Sequence, residues 1–329
     1  MNKMGAIMDF DKIKQNNIYK RKVAIIGSGF VGSSIAYSLM IKESAREIVL
    51  VDINQNSSLG EVMDIKHGIP YMGSAYIYSG DYSDIKDSDL IIITAGRNRR
   101  VGETRLEMAA DNIRIVKDVI TEMSKHYTKG VIMVVTNPVD IITYKVSQWT
   151  NLPNGMVFGT GCILDTSRFV NVLSDYLSLN PEMISGFVAG EHGESQFIPW
   201  AKISIAGIPI EEYCESVGIE FNDKIKNEIL IKLKKMGSEI ISYKGKTHYG
   251  IATCVTYLAD AILNRRATIA SVSSVFQGEY GIDDCALSVP SIVGGNGVEK
   301  RIVERWEEKD FNCLKLSEKE LVNVLRNFK

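Results

Sequence analysis

Residues 22–32 have the sequence KVAIIGSGFVG, in which a short apolar run leads into three closely spaced glycines. The apolar run is typical of a buried parallel strand, and residues 33–40 are typical of a helix. Between them, Gly27 allows a tight turn, Gly29 lets a pyrophosphate approach the backbone, and Gly32 lets the helix pack close to the strand. Because the free N–H groups at the start of such a helix bind phosphates, this stretch predicts a dinucleotide cradle.

A second apolar strand is predicted at residues 48–51 and leads into Asp52, which lies twenty residues after Gly32. A carboxylate in this position accepts hydrogen bonds from the adenosine ribose and repels the additional phosphate of NADP, so the spacing favours NAD. Two other interpretations stay open on these residues alone. One is a turn that binds no phosphate in an ordinary α/β domain, and the other is a methyltransferase that binds S-adenosylmethionine.

The 329-residue chain has a formal net charge of −2 and therefore no overall basic surplus. We therefore expect no nucleic acid as a partner. No apolar run reaches membrane-spanning length, so we expect no membrane partner either. The five cysteines are widely separated and lack metal-ligand spacing, which predicts reduced thiols, no metal site and a cytoplasmic location. Residues 1–20 lack the apolar core of a signal peptide and are interpreted as an arm that is disordered or packs on a neighbouring subunit.

Predicted strands and helices alternate from residue 22 to about residue 150. This alternation favours an α/β fold built on a doubly wound parallel (Rossmann) sheet. Ligands of such sheets bind beyond the carboxyl ends of the strands, so we expect Asp52, residues 94–96 and residues 136–137 to line one crevice.

After residue 150 the predicted helices are mixed with short strands of antiparallel type. The last helix is predicted at residues 317–328, with Ser317 and Glu318 as capping residues. The predicted organisation is an N-terminal arm at residues 1–20, a dinucleotide-binding domain at residues 21–150 and an α+β substrate domain at residues 151–329.

Four side chains are candidates for chemistry. His192 lies in a glycine-flanked segment; it is either a proton carrier near neutral pH or an ordinary surface-turn histidine. Asp165 and Arg168 are three residues apart and share a helix face, so they form either a solvated ion pair or a site. In that site Arg168 would bind a substrate carboxylate, and Asp165 would pair with His192. Arg105 begins a long predicted helix, where a cation is unfavourable, and this misfit indicates a function.

These residues and their neighbours resemble the motifs of the L-lactate/L-malate dehydrogenase family over nearly the whole chain from about residue 21. The matching segments are GSGFVG at 27–32, Asp52, TAG at 94–96, GETR at 102–105, NPVD at 137–140, LDTSR at 164–168, GEHG at 190–193 and THYG at 247–250. The resemblance implies an enzyme that uses NAD and a small 2-hydroxy or 2-oxo acid, and it suggests a homotetramer.

The resemblance also implies a role for each site residue. His192 would donate a proton to the substrate carbonyl oxygen as NADH delivers hydride to the carbon, and Asp165 would stabilise the imidazolium. Arg168 would bind the substrate carboxylate, while Arg105 would polarise the carbonyl and Asn137 would hydrogen-bond the substrate oxygen. The residues that would line the cofactor are Gly27, Gly29, Phe30, Val31, Gly32, Asp52, Thr94, Ala95, Gly96, Asn112, Val135 and Asn137.

Arg99 is the predicted specificity residue. In this family the residue three before the loop glycine, here Gly102, meets the variable end of the substrate. Glutamine is usual there in lactate dehydrogenases, and arginine is usual in malate dehydrogenases. An unpaired arginine facing the methyl group of pyruvate would cost on the order of several kcal/mol, so we expect oxidation of (S)-malate to oxaloacetate.

An L-lactate dehydrogenase is the alternative, because Thr247 and the overall pattern resemble the lactate branch. Under that alternative Arg99 is a solvated residue of the lid predicted at residues 97–102. A non-catalytic NAD(H) sensor is a remote second alternative, because a sensor has no need of the four candidate side chains.

Two further positions concern regulation. Bacterial lactate enzymes that fructose 1,6-bisphosphate activates typically have arginine two residues after the Arg168 position and histidine seven residues before the catalytic histidine. Val170 and Ser185 occupy those positions here. Because neither side chain binds a phosphate by charge, we predict no activation by this sugar phosphate.

Overall fold

The computed structural model describes residues 20–73, 75–97 and 105–328, the last range without the side chain of Arg105. The strands are β1 (Lys22–Ile26), β2 (Glu47–Val51), β3 (Tyr76–Gly80), β4 (Leu90–Ile93), β5 (Val131–Val134), β6 (Val157–Gly159), β7 (Ile184–Ser185), β8 (Ser204–Ile205), β9 (Ile208–Pro209), β10 (Thr268–Gln277), β11 (Asp283–Gly294) and β12 (Gly297–Arg301). The helices are α1 (Phe30–Lys42), α2 (Gln55–His67), α3 (Arg105–Met123), α4 (Val139–Thr150), α5 (Ile163–Leu177), α6 (Ile210–Val217), α7 (Asp223–Lys244), α8 (Tyr249–Leu263) and α9 (Glu308–Leu325).

One sheet of nine strands forms the centre of the described structure, in the order β12-β11-β10-β6-β5-β4-β1-β2-β3. The six strands from β6 to β3 are parallel, and their order reverses on either side of β1, as in a doubly wound Rossmann sheet. The predicted fold class is therefore confirmed. The long strands β10 and β11 extend the same sheet in the antiparallel sense.

The inner parallel strands β1, β4 and β5 are buried on both faces, which explains their nearly continuous apolar sequence. Side chains of β1 alternate between two clusters. Val23 and Ile25 pack with apolar residues of α1 and α8, whereas Ala24 and Ile26 pack with those of α3 and α4. Helices thus cover both faces of the sheet and leave the carboxyl edge of its strands open for a site.

The helix α1 begins at Phe30, three residues earlier than predicted, so Gly32 lies within its first turn. A Cβ atom at Gly32 would lie 1.9 Å from the carbonyl oxygen of Gly27. Gly27 itself has a φ of 104°, a conformation that favours glycine. The tight turn and the close approach of helix to strand are therefore both present, as the glycine pattern predicted.

The second half of the chain carries α5 to α9 and a small sheet of β7, β8 and β9. The prediction that the last helix begins at Ser317 was wrong, because α9 begins at Glu308. Ser317 is fully buried in the middle of α9 and donates a hydrogen bond to the carbonyl oxygen of Ser195. No helix among the described residues is long and apolar enough to cross a membrane.

Replacing Gly32 tests the close approach of α1 to the Gly27 turn. The Gly32→Ala variant should lose about 1–3 kcal/mol of unfolding free energy, because the new methyl group meets backbone that cannot move aside easily. Gly60→Ala is the matched control, since a Cβ there meets nothing within 4 Å. That control should gain about 0.5–1 kcal/mol, the helix-propensity difference between glycine and alanine. Urea unfolding measures both changes, and equal stability of the two variants would contradict the packing described here.

Candidate active site

The carboxyl ends of β1, β2, β4 and β5 meet at one edge of the sheet, and hydrogen bonds join the loops that follow them. The N–H of Gly27 donates to the carbonyl oxygen of Val51 at 2.8 Å. The hydroxyl of Thr94 donates to the Gly27 carbonyl at 2.8 Å, and that of Thr136 donates to the Ala95 carbonyl, also at 2.8 Å. The predicted crevice is thus bordered by loops that hold one another in place.

The glycine turn and Asp52 form one side of this crevice. One carboxylate oxygen of Asp52 accepts the N–H of Ser28 at 2.7 Å, and the other accepts the N–H of Asn54 at 2.9 Å. These bonds fix the carboxylate beside the start of α1. A Cβ atom at Gly29 would meet nothing within 4 Å, so the helix N-terminus is open to a ligand at this point.

Ile53, next to Asp52, is 99% exposed, and Phe30 is 54% exposed. Two large apolar side chains are therefore exposed near the open helix N-terminus and the fixed carboxylate, one at the start of α1 and one directly after Asp52. This donor and apolar set fits a dinucleotide, since the N–H groups suit its phosphates, the carboxylate its ribose and the apolar surface its rings. Val31 is half-buried in the first turn of α1 and packs toward the core.

Asn112 is buried and connects two of the loops. Its side-chain oxygen accepts the N–H of Arg97 at 2.8 Å, and its amide donates to the carbonyls of Arg97 at 3.1 Å and Asn137 at 2.7 Å. A Cβ at Gly96 would lie 2.6 Å from the Thr136 side chain, so the loop passes close to its neighbour. Asn112 therefore holds the loop after β4 against the loop after β5.

Val135 and Asn137 follow β5. Val135 is nearly buried, and its N–H donates to the carbonyl of Ile93 at 2.9 Å. The side-chain oxygen of Asn137 accepts the N–H of Val139 at 3.3 Å, and the peptide bond between Asn137 and Pro138 is cis. The amide of Asn137 thus lies at the entrance to α4, beside the crevice.

His192 and Asp165 are brought together from distant parts of the chain. Asp165 lies in the first turn of α5 with a side chain only 3% exposed, and its Oδ2 lies 2.5 Å from Nδ1 of His192. Burial by itself would lower the pKa of His192, but the charge of Asp165 and the hydrogen bond to it outweigh that effect and raise the pKa to about 8. Burial likewise favours the neutral acid at Asp165, but His192 holds the pKa of that carboxyl below its usual value.

Arg168 lies one turn after Asp165 on α5, and its side chain is 14% exposed. Among the described residues, a single long hydrogen bond of 3.5 Å joins Nη1 of Arg168 to Oδ1 of Asp165. A guanidinium has five N–H donors in a planar fork. Most of the donors of Arg168 are therefore available to an incoming carboxylate, a short distance from the imidazole of His192.

Asp140 is a site residue to which sequence reasoning assigned no role, although it ends the NPVD motif. Its Oδ2 accepts the backbone N–H of His192 at 2.7 Å. Burial raises the pKa of Asp140 to about 6, since hydrogen bonds and the charge of His192 offset only part of the desolvation. The sequence could not reveal this contact, because it forms only when α4 packs against the distant segment that carries His192.

Several predicted site residues lie partly or wholly outside the described part of the chain. These are Arg99, most of the lid at residues 97–102, most of the arm at residues 1–20 and the side chain of Arg105, whose backbone begins α3. Arg97, the described end of the lid, forms an ion pair with Asp111 of α3 at 2.7 Å. Thr247 is half-buried and lies two residues before the start of α8.

Comparisons with known proteins cover the same two halves. The profile of the family described as "lactate/malate dehydrogenase, NAD binding domain" matches residues 21–159. The profile described as "lactate/malate dehydrogenase, alpha/beta C-terminal domain" matches residues 162–329. Together these two matches span nearly all of the chain that the structure describes.

Individual relatives agree with the profiles. The L-lactate dehydrogenase of Acetivibrio thermocellus is 39% identical over 311 residues, which are 94% of this chain and 98% of that protein. The L-lactate dehydrogenase of Thermoanaerobacterium saccharolyticum is 42% identical over 279 residues, 85% of this chain and 90% of that protein. The crystal structure of the minor L-lactate dehydrogenase from Enterococcus mundtii superimposes with a TM-score of 0.91 at 36% identity, covering 94% of this chain and 99% of that one.

The fold, the NAD cradle and the His192–Asp165 pair are thus accompanied by sequence similarity over almost the whole chain. The chain is an NAD-dependent 2-hydroxyacid dehydrogenase that belongs to the lactate/malate dehydrogenase family.

Proposed function

We propose that this dehydrogenase interconverts L-lactate and pyruvate. The observation that carries the catalytic part of the proposal is the contact of 2.5 Å between His192 and the buried Asp165, beside the guanidinium of Arg168. The choice of lactate is supported by relatives that are 38–42% identical and named L-lactate dehydrogenase. Thr247, which resembles the lactate branch, adds to that support. A non-catalytic sensor would not need a buried carboxylate that raises the pKa of a histidine beside an arginine with free donors.

In the proposed reaction, NADH supplies hydride to the carbonyl carbon when it is bound in the cradle. His192 donates its Nε2 proton to the carbonyl oxygen, and Asp165 holds the imidazole through Nδ1 so that Nε2 faces the substrate. Arg168 binds the substrate carboxylate with two parallel hydrogen bonds and thereby places the carbonyl within reach of His192. Asp140 accepts a hydrogen bond from the backbone N–H of His192, so His192 is fixed through both its ring and its backbone.

The preference for malate predicted from Arg99 is not supported by the relatives, which favour lactate. That prediction depended on one side chain at residue 99, which lies outside the described part of the chain. Malate remains a second candidate only on the chemistry of this residue, because an arginine facing the substrate pairs with a second carboxylate.

Steady-state rates with the two oxo acids test the choice of substrate. We expect kcat/KM for pyruvate to exceed that for oxaloacetate at equal NADH concentration. The Arg99→Gln variant should lose most of its residual oxaloacetate activity, because it removes the arginine proposed to pair with a second carboxylate. Arg100→Gln, which removes a neighbouring charge of the same sign, is the matched control and should keep the wild-type ratio. A higher kcat/KM with oxaloacetate in the unmodified enzyme would make it a malate dehydrogenase instead.

The raised pKa of His192, at about 8, sets the expected pH dependence. Reduction needs the protonated imidazole, so its kcat/KM should be constant at low pH and fall as the pH rises through about 8. Oxidation needs the neutral imidazole, so its kcat/KM should instead rise through the same pH range. In Asp165→Asn the pKa of His192, and with it the break in the reduction profile, should lie about 1–2 units lower, because the charge of Asp165 no longer offsets the effect of burial.

The matched control for this change is Asp175→Asn, an exposed carboxylate of the same helix α5. It should leave the pH profile unchanged. The titration of the His192 imidazole, followed by NMR, gives the same comparison without turnover. A His192 pKa that is the same in Asp165→Asn and in the wild type would refute the role of this pair.

We further propose a cytoplasmic homotetramer. All five cysteines are free thiols in the described structure, which supports the reducing compartment. Exposed apolar side chains on α2 and α7 support association, since Met63 is 54% and Tyr243 is 87% exposed.

Fructose 1,6-bisphosphate should leave the pyruvate concentration for half-saturation unchanged. Val170 on α5 is half-buried and packs against an apolar cluster, and Ser185 ends the short strand β7. Neither position offers a cation to a phosphate. Titration of the sugar phosphate at subsaturating pyruvate measures the effect, and a several-fold fall in half-saturation would overturn the expectation.

A further inference from the structure

The segment that joins α7 to α8, residues 244–249, lies against the first turns of α1. Nδ1 of His248 is 2.9 Å from the hydroxyl of Ser34, and the rings of His248 and Phe30 have centroids 5.6 Å apart. Nζ of Lys246 lies 3.4 Å from the centre of the Phe30 ring. A segment of the second half of the chain thus reaches the part of the first half where the dinucleotide cradle begins.

Two lysines make this segment strongly positive. Nζ of Lys244 is 3.3 Å from Nε2 of His248 and 4.1 Å from the centre of the Tyr249 ring. Within the described ranges, neither Lys244 nor Lys246 forms an ion pair with a carboxylate. Burial lowers the pKa of His248, and the charges of Lys244 and Lys246 lower it further. The positive potential here is therefore concentrated on the two ammonium groups, with the imidazole kept neutral as a hydrogen-bonding tether.

The glycine turn, by contrast, contributes no charged side chain. Its sequence from residue 27 to residue 33 is GSGFVGS, and the first turn of α1 has no acidic residue either. The pyrophosphate of NAD carries two negative charges, whereas a helix N-terminus offers only about half a positive charge. The remaining charge of the bound pyrophosphate calls for a cation close to Phe30, and Lys246 is in contact with that residue.

We propose that residues 244–249 form the second wall of the pyrophosphate site, with Lys246 as the counter-charge to the cofactor's phosphates. The hydrogen bond between His248 and Ser34 holds this wall against α1. The Phe30 ring holds the ammonium group of Lys246 by a cation–π contact. Because Phe30 is 54% exposed, this contact places the ammonium group at the mouth of the cradle and not within the core. Lys246 is thus a cofactor-binding residue contributed by the substrate domain.

Equilibrium binding of NADH, measured by its fluorescence without any substrate, tests this proposal. Lys246→Gln should weaken NADH binding by about two- to five-fold, the contribution of an exposed ion pair. The loss should shrink as salt is added, because salt screens the interaction that the wild type has and the variant lacks. Lys246→Arg should bind nearly as well as the wild type, since it keeps the charge.

Lys232→Gln is the matched control, because it removes the same charge from an exposed position of α7, about 18 Å before Lys244 along the helix axis. Competition by ADP-ribose and by adenosine locates the effect. The affinity for ADP-ribose, which has the pyrophosphate, should fall with that for NADH, while the affinity for adenosine, which has none, should not change.

An unchanged NADH affinity in Lys246→Gln, an equal loss in Lys232→Gln, or an equal loss for adenosine would each overturn the proposal. Because the experiment uses only cofactor and its fragments, its outcome is independent of whether lactate or malate is the substrate. A failure of the proposed reaction and a failure of this inference are therefore distinguishable.

Discussion

A buried carboxylate that must be neutralised lies at the centre of this enzyme. Asp165 is almost inaccessible to water, and an isolated charge in such a place is strongly unfavourable. His192 and Arg168 approach its two oxygens from different segments of the chain and satisfy it. The same interaction keeps the imidazole protonated near neutral pH. The pairing that compensates the buried charge of Asp165 is therefore also the one that prepares the proton donor.

The NAD half could be predicted well because its signals are local. Gly27, Gly32 and Asp52 act through backbone turns and short spacings, which a single sequence displays directly. The start of α1 at Phe30 was still placed three residues late, because Gly32 has low helix propensity and conceals the first turn. Residue 32 is a glycine because a side chain there would collide with the Gly27 carbonyl. Helix propensity, which is a local property, does not reveal such a contact.

Other features depend on tertiary contacts and were missed for that reason. Ser317 was taken for a helix cap because serine favours that position, yet it lies inside α9, where its hydroxyl reaches the Ser195 carbonyl. Asp140 ends the NPVD motif, but its local pattern does not separate it from an ordinary acid in the first turn of a helix. Its contact with the His192 backbone spans 52 residues. The choice between malate and lactate shows the same limit, since one residue of a loop pointed to malate and similarity along the whole chain favours lactate.

The continuity of the central sheet has a mechanical consequence. Ser273 of β10 lies opposite Gly159 of β6, and the N–H of Val298 donates to the carbonyl of Gly155 at 2.9 Å. The cofactor half and the substrate half thus share one continuous hydrogen-bonded sheet. Such a sheet resists the hinge rotation that separates the lobes of many two-domain enzymes. We therefore expect entry and exit of small molecules to depend on movements at the rim of the crevice, while the residues around His192 and Asp165 keep their arrangement.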